Sequence, residues 1–202
     1  MSNVQANVIT AGIGQKTAMS STKLGMLLFL FSESIFFIFL LIAYINFHRG
    51  PAHGSMTHDL DVMKTGTYTL VLIASSFTAW RAHGAALQGN FSRFYAWLLF
   101  TIALGSAFIW NQSSEYLRLF EKEITISRDP LSTSFFTVTG FHGLHVCAGI
   151  LLFVMLLVWS LIQQRSNRRV PTGSVEAISL YWHFVDLVWI GVFGIVYVWG
   201  TK

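Results

Sequence analysis

Apolar residues are concentrated in five long windows of the 202-residue chain, which short polar segments separate. The windows comprise residues 24–47, 67–87, 94–120, 134–163 and 177–199. Each has roughly the 20 residues that a helix needs to cross a hydrocarbon layer of about 30 Å. Pro51, Pro130 and Pro171 all lie between windows, where residues that interrupt helices are expected. The pattern predicts an all-α integral membrane protein, a bundle of five transmembrane helices.

Composition agrees with this class. Apolar residues make up 53% of the chain and charged residues 11%, and the mean hydropathy is +0.57, which excludes an ordinary soluble domain. Cys147 is the single cysteine, so the sequence offers neither a disulfide framework nor a thiolate metal cage. The 13 Lys and Arg residues are scattered among short loops, so no nucleic-acid partner is expected.

The amino-terminal residues differ from the rest of the chain. Residues 1–22 are polar and contain no apolar core followed by a small-residue cleavage site, so we interpret them as a polar arm and not as a cleavable signal peptide. Residues 23–202 then form a single membrane domain. The connections are short, which predicts antiparallel neighbours, and lipid requires backbones whose hydrogen bonds are made internally.

The basic residues favour one orientation. Seven of them fall on the side of the amino terminus and six on the opposite side. The seven are Lys16, Lys23, Arg81, Arg93, Arg165, Arg168 and Arg169. The basic run at 165–169 adds weight because it directly follows an apolar window. By the positive-inside rule, the amino terminus is expected in the cytoplasm and the carboxyl terminus outside.

Glu33 is the charge-capable residue of the first window, within LFSESIFF. It lies about 15 Å from Lys23 along a helix, near the midplane. Ionisable groups at this depth face protein or a polar cavity. Two interpretations stay open: a carboxyl group that hydrogen-bonds its helix to a neighbour, or a group that exchanges protons or contacts lipid or a partner.

Gln112 and Glu115 lie three residues apart near the end of the third window and share a helical face. Glu115 is about 33 Å from Arg93, so the estimate places it at the far interface beside Tyr116, a residue type that is enriched there. Interfacial anchoring is the interpretation that the sequence favours.

The fourth and fifth windows each carry a polar pair. His142 and His145 lie three residues apart, and so do His183 and Asp186, which follow Trp182. Asp186, His145 and Glu33 have similar estimated depths. The sequence therefore predicts a polar cluster near the midplane that joins the first, fourth and fifth helices.

A metal site is the alternative for the histidines, because imidazole binds zinc, copper and iron. His145 and His183 differ by about 5 Å in estimated depth, which disfavours two axial haem ligands. The Glu-x-x-His motifs of a di-iron bundle do not occur. We therefore expect a hydrogen-bonded network and no metal. His48, His53, His58 and His83 are expected to be solvated or interfacial.

Four motifs resemble, in order and spacing, subunit III of the haem-copper oxidases. They are SESIFF (32–37), QSSEY (112–116), TGFHGLHV (139–146) and YWHFVDLVW (181–189). The likeness covers all five windows. It is similar to the short bacterial form, which lacks the first two of the seven helices of the mitochondrial type.

The resemblance implies an accessory subunit that has no catalytic residues or redox cofactors of its own. The haems and copper would belong to partner subunits, with subunit I in direct contact and subunit II in the same complex of the bacterial plasma membrane. The complex would reduce dioxygen to water and pump protons. Glu33 would be the buried carboxylate near proton uptake, and phospholipid would be bound. Gln112, Glu115, His142, His145, Trp182, His183 and Asp186 would form the polar network or contact partner and lipid.

Three alternatives remain at this point. The same type of subunit serves quinol oxidases, and a related one accompanies some nitric oxide reductases. A different class is an independent proton-coupled transporter that uses Glu33 and Asp186 as a relay. Against the transporter, no window has the Gly/Pro interruption expected at a transporter's binding site.

Overall fold

The computed structural model describes residues 21–50, 59–165 and 172–201, with the side chain of residue 165 excepted. These residues form five α-helices. They are α1 (Ser21–His48), α2 (Val62–Leu87), α3 (Phe91–Glu121), α4 (Pro130–Arg165) and α5 (Thr172–Val192). The chain of α5 continues as a π-helical segment, Phe193–Trp199. The predicted all-helical architecture is thus confirmed.

Of the helices in the described ranges, four are long and apolar enough to cross a membrane. They are α1, α3, α4 and α5 with its π-helical continuation. The second helix is 26 residues long, but threonine and serine side chains lower its hydropathy. Its first turn lies five residues before the predicted start at 67, because Lys64 and Thr65 hide that turn from a search for apolar residues. Length and composition therefore do not establish the fifth span.

Side-chain caps fix the ends of the α2–α3 hairpin. The Asp61 side chain accepts a hydrogen bond from Lys64 N at 2.9 Å, and that of Asn90 accepts one from Arg93 N at 3.2 Å. Between the two helices Gly89 has φ +68°, a conformation that glycine adopts without steric cost. The two helices can therefore reverse direction within three residues.

Pro130 is the first residue of α4 and does not merely precede it. A proline fits this position because the first N–H groups of a helix have no partner within the helix. The preceding Asp129 carboxylate accepts hydrogen bonds from Ser132 N at 2.7 Å and from Ser132 Oγ at 3.0 Å. This cap starts the helix four residues before the predicted position, 134.

The helices pack as a closed ring in the order α1, α4, α3, α2 and α5, and α5 also touches α4. Trp182 and Trp189 of α5 are fully buried at the centre of the ring. Two glycines leave room for the indole of Trp182. A Cβ atom at Gly105 of α3 or at Gly149 of α4 would lie within 2.7 Å of it. Close helix packing at small residues is typical of membrane bundles.

Several sequence predictions fall outside the described residues. Most of the arm, residues 1–20, lies there, and so do His53, His58 and the basic residues after 165. His48, by contrast, is described and is 5% exposed. Its ring stacks on Tyr44 with centroids 6.0 Å apart and lies 4.8 Å from the Trp199 ring. Of the two expected positions, solvated or interfacial, the solvated one was wrong for His48, because Tyr44 of α1 and Trp199 of the π-helical segment cover its ring.

Candidate functional site

Glu33 of α1 and His145 of α4 form a pair across two helices. Glu33 Oε2 lies 3.2 Å from His145 Nε2. The other ring nitrogen, Nδ1, lies 2.7 Å from the carbonyl oxygen of Phe141. A carbonyl only accepts, so Nδ1 carries a hydrogen. The Nε2 atom then either accepts a hydrogen bond from a protonated Glu33 carboxyl group or, as imidazolium, donates a hydrogen bond to the carboxylate.

The net charge of this pair is zero in both of these states. A shared proton thus lets an acid and an imidazole lie at membrane depth without an uncompensated charge. Tyr181 of α5 donates to the backbone carbonyl of His145 at 3.0 Å, and the Phe37 ring lies 5.0 Å from the His145 ring. Both side chains keep part of their surface exposed, so a lipid or a partner can reach the pair.

The His142 side chain faces the interior of the bundle, whereas His145 faces Glu33. His142 is 1% exposed, and its ring stacks on Trp189 with centroids 4.7 Å apart. Phe108 presents its edge at 5.9 Å. Among the described residues neither ring nitrogen of His142 has a hydrogen-bond partner. The two histidines therefore do not form one ligand pair, although they are three residues apart.

Asp186 and His183 of α5 meet at a serine of α2. The Ser76 hydroxyl donates to Asp186 Oδ2 and lies 2.9 Å from His183 Nδ1. Because a hydroxyl has one hydrogen, it accepts from the imidazole while it donates to the carboxyl group. The sequence predicted contact between the histidine and the aspartate along one face, but it missed Ser76.

The predicted midplane cluster is therefore two separate clusters. Glu33 and His145 join α1 to α4, and Tyr181 brings α5 to them. Asp186 instead joins α5 to α2. Similar depth did not place these groups together, because depth along a helix says nothing about the direction in which a side chain points.

Hydroxyls of α2 also anchor both central indoles. Trp182 Nε1 donates to Ser75 Oγ, and Trp189 Nε1 donates to Thr69 Oγ1, each at 3.0 Å. Buried tryptophans usually need such a partner. The sequence carried a partial signal, because Thr69 recurs with Thr65 and Ser76 at spacings of four and seven residues, which keeps them on one side of a helix. Ser75 does not follow this spacing.

Glu115 is buried inside the bundle and is not an interfacial anchor. It is 1% exposed, and its Oε2 atom accepts from Thr65 Oγ1 at 3.2 Å and from Tyr197 OH at 3.0 Å. Arg118 Nη2 lies 3.6 Å from the other carboxylate oxygen. The expectation failed because it used depth alone, whereas α2 and the π-helical segment cover this face of α3. A π-helical turn is frequent at functional sites, and here it carries Tyr197.

Gln112 belongs to the same buried region. It is 4% exposed, and its amide lies beside the hydroxyls of Tyr116 and Tyr197. At the end of this region the guanidinium of Arg118 lies 3.4 Å from Asp61 Oδ2. The backbone N–H of Lys64 bonds to the Asp61 carboxylate and lowers its pKa, and Arg118 acts in the same direction.

Within the described ranges no group of three or more His, Cys, Asp or Glu side chains could hold a metal ion. Most of the predicted polar residues take part in hydrogen-bonded links between helices, whereas His142 is held by ring stacking. The geometry defines a helical membrane protein whose polar groups connect its helices. One pair of these groups, Glu33 and His145, is partly exposed on the surface of the bundle.

Comparison with known proteins identifies the family. The sequence model described as "Cytochrome c oxidase subunit III" matches residues 2–201. The probable cytochrome c oxidase subunit 3 of Nocardia farcinica is 34% identical over 196 residues, 95% of this chain and 94% of the relative. The cytochrome c oxidase subunit 3 of Corynebacterium diphtheriae is 37% identical over 181 residues, 87% of this chain and 86% of the relative. The cytochrome c oxidase subunit 3 of Synechocystis is 36% identical over 177 residues, 86% of this chain and 73% of the relative.

The chain belongs to the cytochrome c oxidase subunit III family. The resemblance of the four motifs is thereby confirmed. The protein is a membrane protein and a subunit of a haem-copper oxidase, a multi-subunit enzyme of the respiratory chain.

Proposed function

We propose that this chain is the non-catalytic subunit of its oxidase and acts on the catalytic subunit indirectly. It covers part of the membrane-facing surface of subunit I, which would carry the haems and copper, and it shares the complex with subunit II. Family membership supports this role, and so do the hydrogen bonds by which Glu33, Glu115 and Asp186 link helices. Large apolar side chains exposed on α1, among them Phe31 and Phe39, offer surface for a neighbouring subunit or lipid.

A fifth membrane span, formed by α2, belongs to the same proposal. Its 26 residues extend over about 39 Å, more than the hydrocarbon layer requires. Thr65, Thr69 and Ser75 are buried among the other helices, so these hydroxyls do not face lipid. With five spans in residues 23–202, the amino terminus lies in the cytoplasm of a bacterium and the carboxyl terminus lies outside.

The Glu33–His145 contact of 3.2 Å carries the proposal of a role near proton uptake. The pair holds one exchangeable proton in a position that is partly exposed on the surface of the bundle. Next to a catalytic subunit it can keep a polar, proton-exchanging environment at a place where hydrocarbon would otherwise lie. Gln112, Glu115, His142, Trp182, His183 and Asp186 serve the internal network that holds the helices around it.

The substitution Glu33→Gln tests this role. It removes the shared proton while keeping the size of the side chain. We expect unchanged haem spectra and faster loss of oxygen consumption during turnover. Ser34→Ala is the matched control, because the Ser34 hydroxyl bonds only the carbonyl of Leu30 in its own helix among the described residues, at 2.8 Å. Equal rates of inactivation in the Glu33 variant and the parent would remove Glu33 from this role.

Purification through a tag on this chain tests the partners. We expect the haem- and copper-bearing subunits to copurify in mild detergent, with haem a if cytochrome c is the electron donor. Haem o or b with quinol oxidation would identify quinol as the donor. A colourless protein without partners would contradict the proposal.

Bound phospholipid is also part of the proposed function. A cavity of about 560 Å³ opens between α1 and the start of α4. Leu40, Ala43 and Phe47 supply an apolar wall, and Arg128 lies at its polar end. The same end carries Asp129, whose carboxylate lies 3.9 Å from Arg128. An apolar wall with a charged, polar end matches the two parts of a phospholipid.

A further inference from the structure

A second cavity lies at the opposite end of the bundle, where α2 ends and α3 begins. Its volume is about 460 Å³. Trp80, Arg81 and His83 of α2 line one side, and Arg93 and Trp97 of α3 line the other. The turn at Gly89 brings the two helix ends together, so residues from both helices share one concave surface.

The charge of this cavity is uncompensated by the described residues. No carboxylate of the described residues lies within 4 Å of the guanidinium of Arg81 or Arg93. The cavity lining itself contains no acidic residue. Arg81 instead lies over the Trp97 ring, 5.5 Å from its centroid. Both arginine side chains are exposed.

Several other basic residues of the bundle have acidic neighbours. At the same end Lys23 donates to Glu176 at 2.6 Å. At the opposite end Arg118 lies 3.4 Å from Asp61 and Lys122 lies 2.7 Å from Asp59. Two arginines that face one cavity without a carboxylate therefore offer donors for an anion from outside the chain.

The position of the cavity near the membrane interface indicates which class of anion it can bind. Trp80 and Trp97 lie about 10 Å along their helix axes from the turn, the level at which indole rings are enriched at a membrane interface. The Trp80 side chain is 57% exposed. A ligand there meets cationic donors towards the water and aromatic surface towards the hydrocarbon.

We propose that this cavity binds the phosphate group of an anionic phospholipid. Arg81 and Arg93 donate hydrogen bonds to the phosphate oxygens, and Trp80 and Trp97 pack against the glycerol backbone and the upper acyl chains. The proposal deepens the proposed function, because it rests on α2 as a membrane span. It adds a lipid site at the α2–α3 hairpin, separate from the cavity between α1 and α4.

Native mass spectrometry of the intact oxidase complex tests the site. The complex is purified through a tag on this chain, depleted of lipid and titrated with phosphatidylglycerol or phosphatidylcholine. The parent is compared with the double variant Arg81→Gln, Arg93→Gln. Arg49→Gln is the control, since Arg49 lies at the opposite end, over the Trp199 ring at 5.7 Å.

We expect the parent and the Arg49 variant to bind one phosphatidylglycerol more tightly than the double variant does, by about tenfold or more, because charge-assisted hydrogen bonds are lost. Equal binding by the parent and the double variant would overturn the proposal. So would equally tight binding of phosphatidylcholine, or displacement of the lipid by inorganic phosphate at an equal concentration.

A photoreactive phosphatidylglycerol locates the site independently. We expect it to label peptides that contain Trp80 or Trp97 in the parent. Labelling confined to other subunits would show that a partner covers the cavity and would overturn the proposal. The haem spectrum reports whether the complex assembles, so loss of the complex, which bears on the proposed function, is distinguished from loss of this lipid alone. If the double variant does not assemble, Arg81→Lys with Arg93→Lys keeps the charge, and we expect it to weaken binding less than tenfold.

Discussion

The indole of Trp182 lies directly against Gly149, so that a Cβ atom at the glycine would be 2.6 Å from the ring. Trp182 is 0% exposed, and its Nε1 atom donates to Ser75 Oγ at 3.0 Å. Phe153 of α4 meets the same ring edge-on at 5.3 Å. One side chain of α5 thus contacts α4 and is bonded to α2, which explains how a bundle with few charged residues obtains a specific arrangement.

Gly149→Ala is expected to destabilise the subunit by about 1 to 3 kcal/mol, the usual cost of overpacking a filled core. The Trp182 ring cannot move away freely, because the hydrogen bond to Ser75 and the contact with Gly105 hold it. The thermal unfolding midpoint of the protein in detergent measures the effect. Gly191→Ala is the matched control, since nothing lies within 4 Å of its added Cβ atom. Equal midpoints for the two variants would show that the α4–α5 contact is looser than described.

Ser76→Ala is expected to cost about 1 to 3 kcal/mol, because it leaves the buried Asp186 carboxyl group and His183 without their shared hydroxyl. Denaturant titration of the purified protein measures the loss. Ser160→Ala provides the comparison: Ser160 is fully buried, whereas Ser76 is only partly buried, but the Ser160 hydroxyl bonds the Leu157 carbonyl of its own helix at 2.9 Å. If both alanine variants lost the same stability, the link between α2 and α5 would carry no special weight.

Thr65→Val and Tyr197→Phe are expected to be non-additive. Both hydroxyls donate to Oε2 of the buried Glu115, so after one substitution the other donor still serves the carboxylate. The double variant should therefore lose more stability than the sum of the single variants, by about 0.5 kcal/mol or more. A double-mutant cycle by thermal or chemical unfolding measures this coupling energy. A coupling energy of zero would mean that the two hydroxyls act independently.

The Asp61 cap is expected to weaken in acid. The backbone N–H of Lys64 lowers the pKa of Asp61 below its ordinary value of 3.8. The ionised carboxylate therefore contributes its full stabilisation above about pH 4, and this contribution is lost as the pH falls through the lower pKa of the folded state. Unfolding midpoints of the parent and of Asp61→Asn, measured from pH 6 to pH 3, should converge towards the acid end. Asp61→Ala removes the cap at every pH and should cost about 0.5 to 2 kcal/mol. A parent–Asn difference that does not change with pH would contradict the assignment of the charge to the cap.

The hydrophobic pattern predicted the helical bundle well, because membrane helices need long apolar runs and those runs are visible without a structure. It was less successful at helix ends. Asp61 and Asp129 begin helices through side-chain caps, and a search for apolar residues passes over such positions. Hydroxyl-rich α2 shows the same limit, since buried threonines and serines lower its hydropathy although they face other helices.

For the polar residues, the sequence by itself determined which groups lie within the long apolar windows, that is Glu33, His142, His145, His183 and Asp186, and through the motifs around them the family of the protein. Only the tertiary structure decided their partners. Glu33 meets His145, Asp186 meets Ser76, and His142 stacks on Trp189. The physical reason is that depth follows from the rise per residue along one helix, whereas a contact depends on the rotation and packing of two helices, which long-range burial sets.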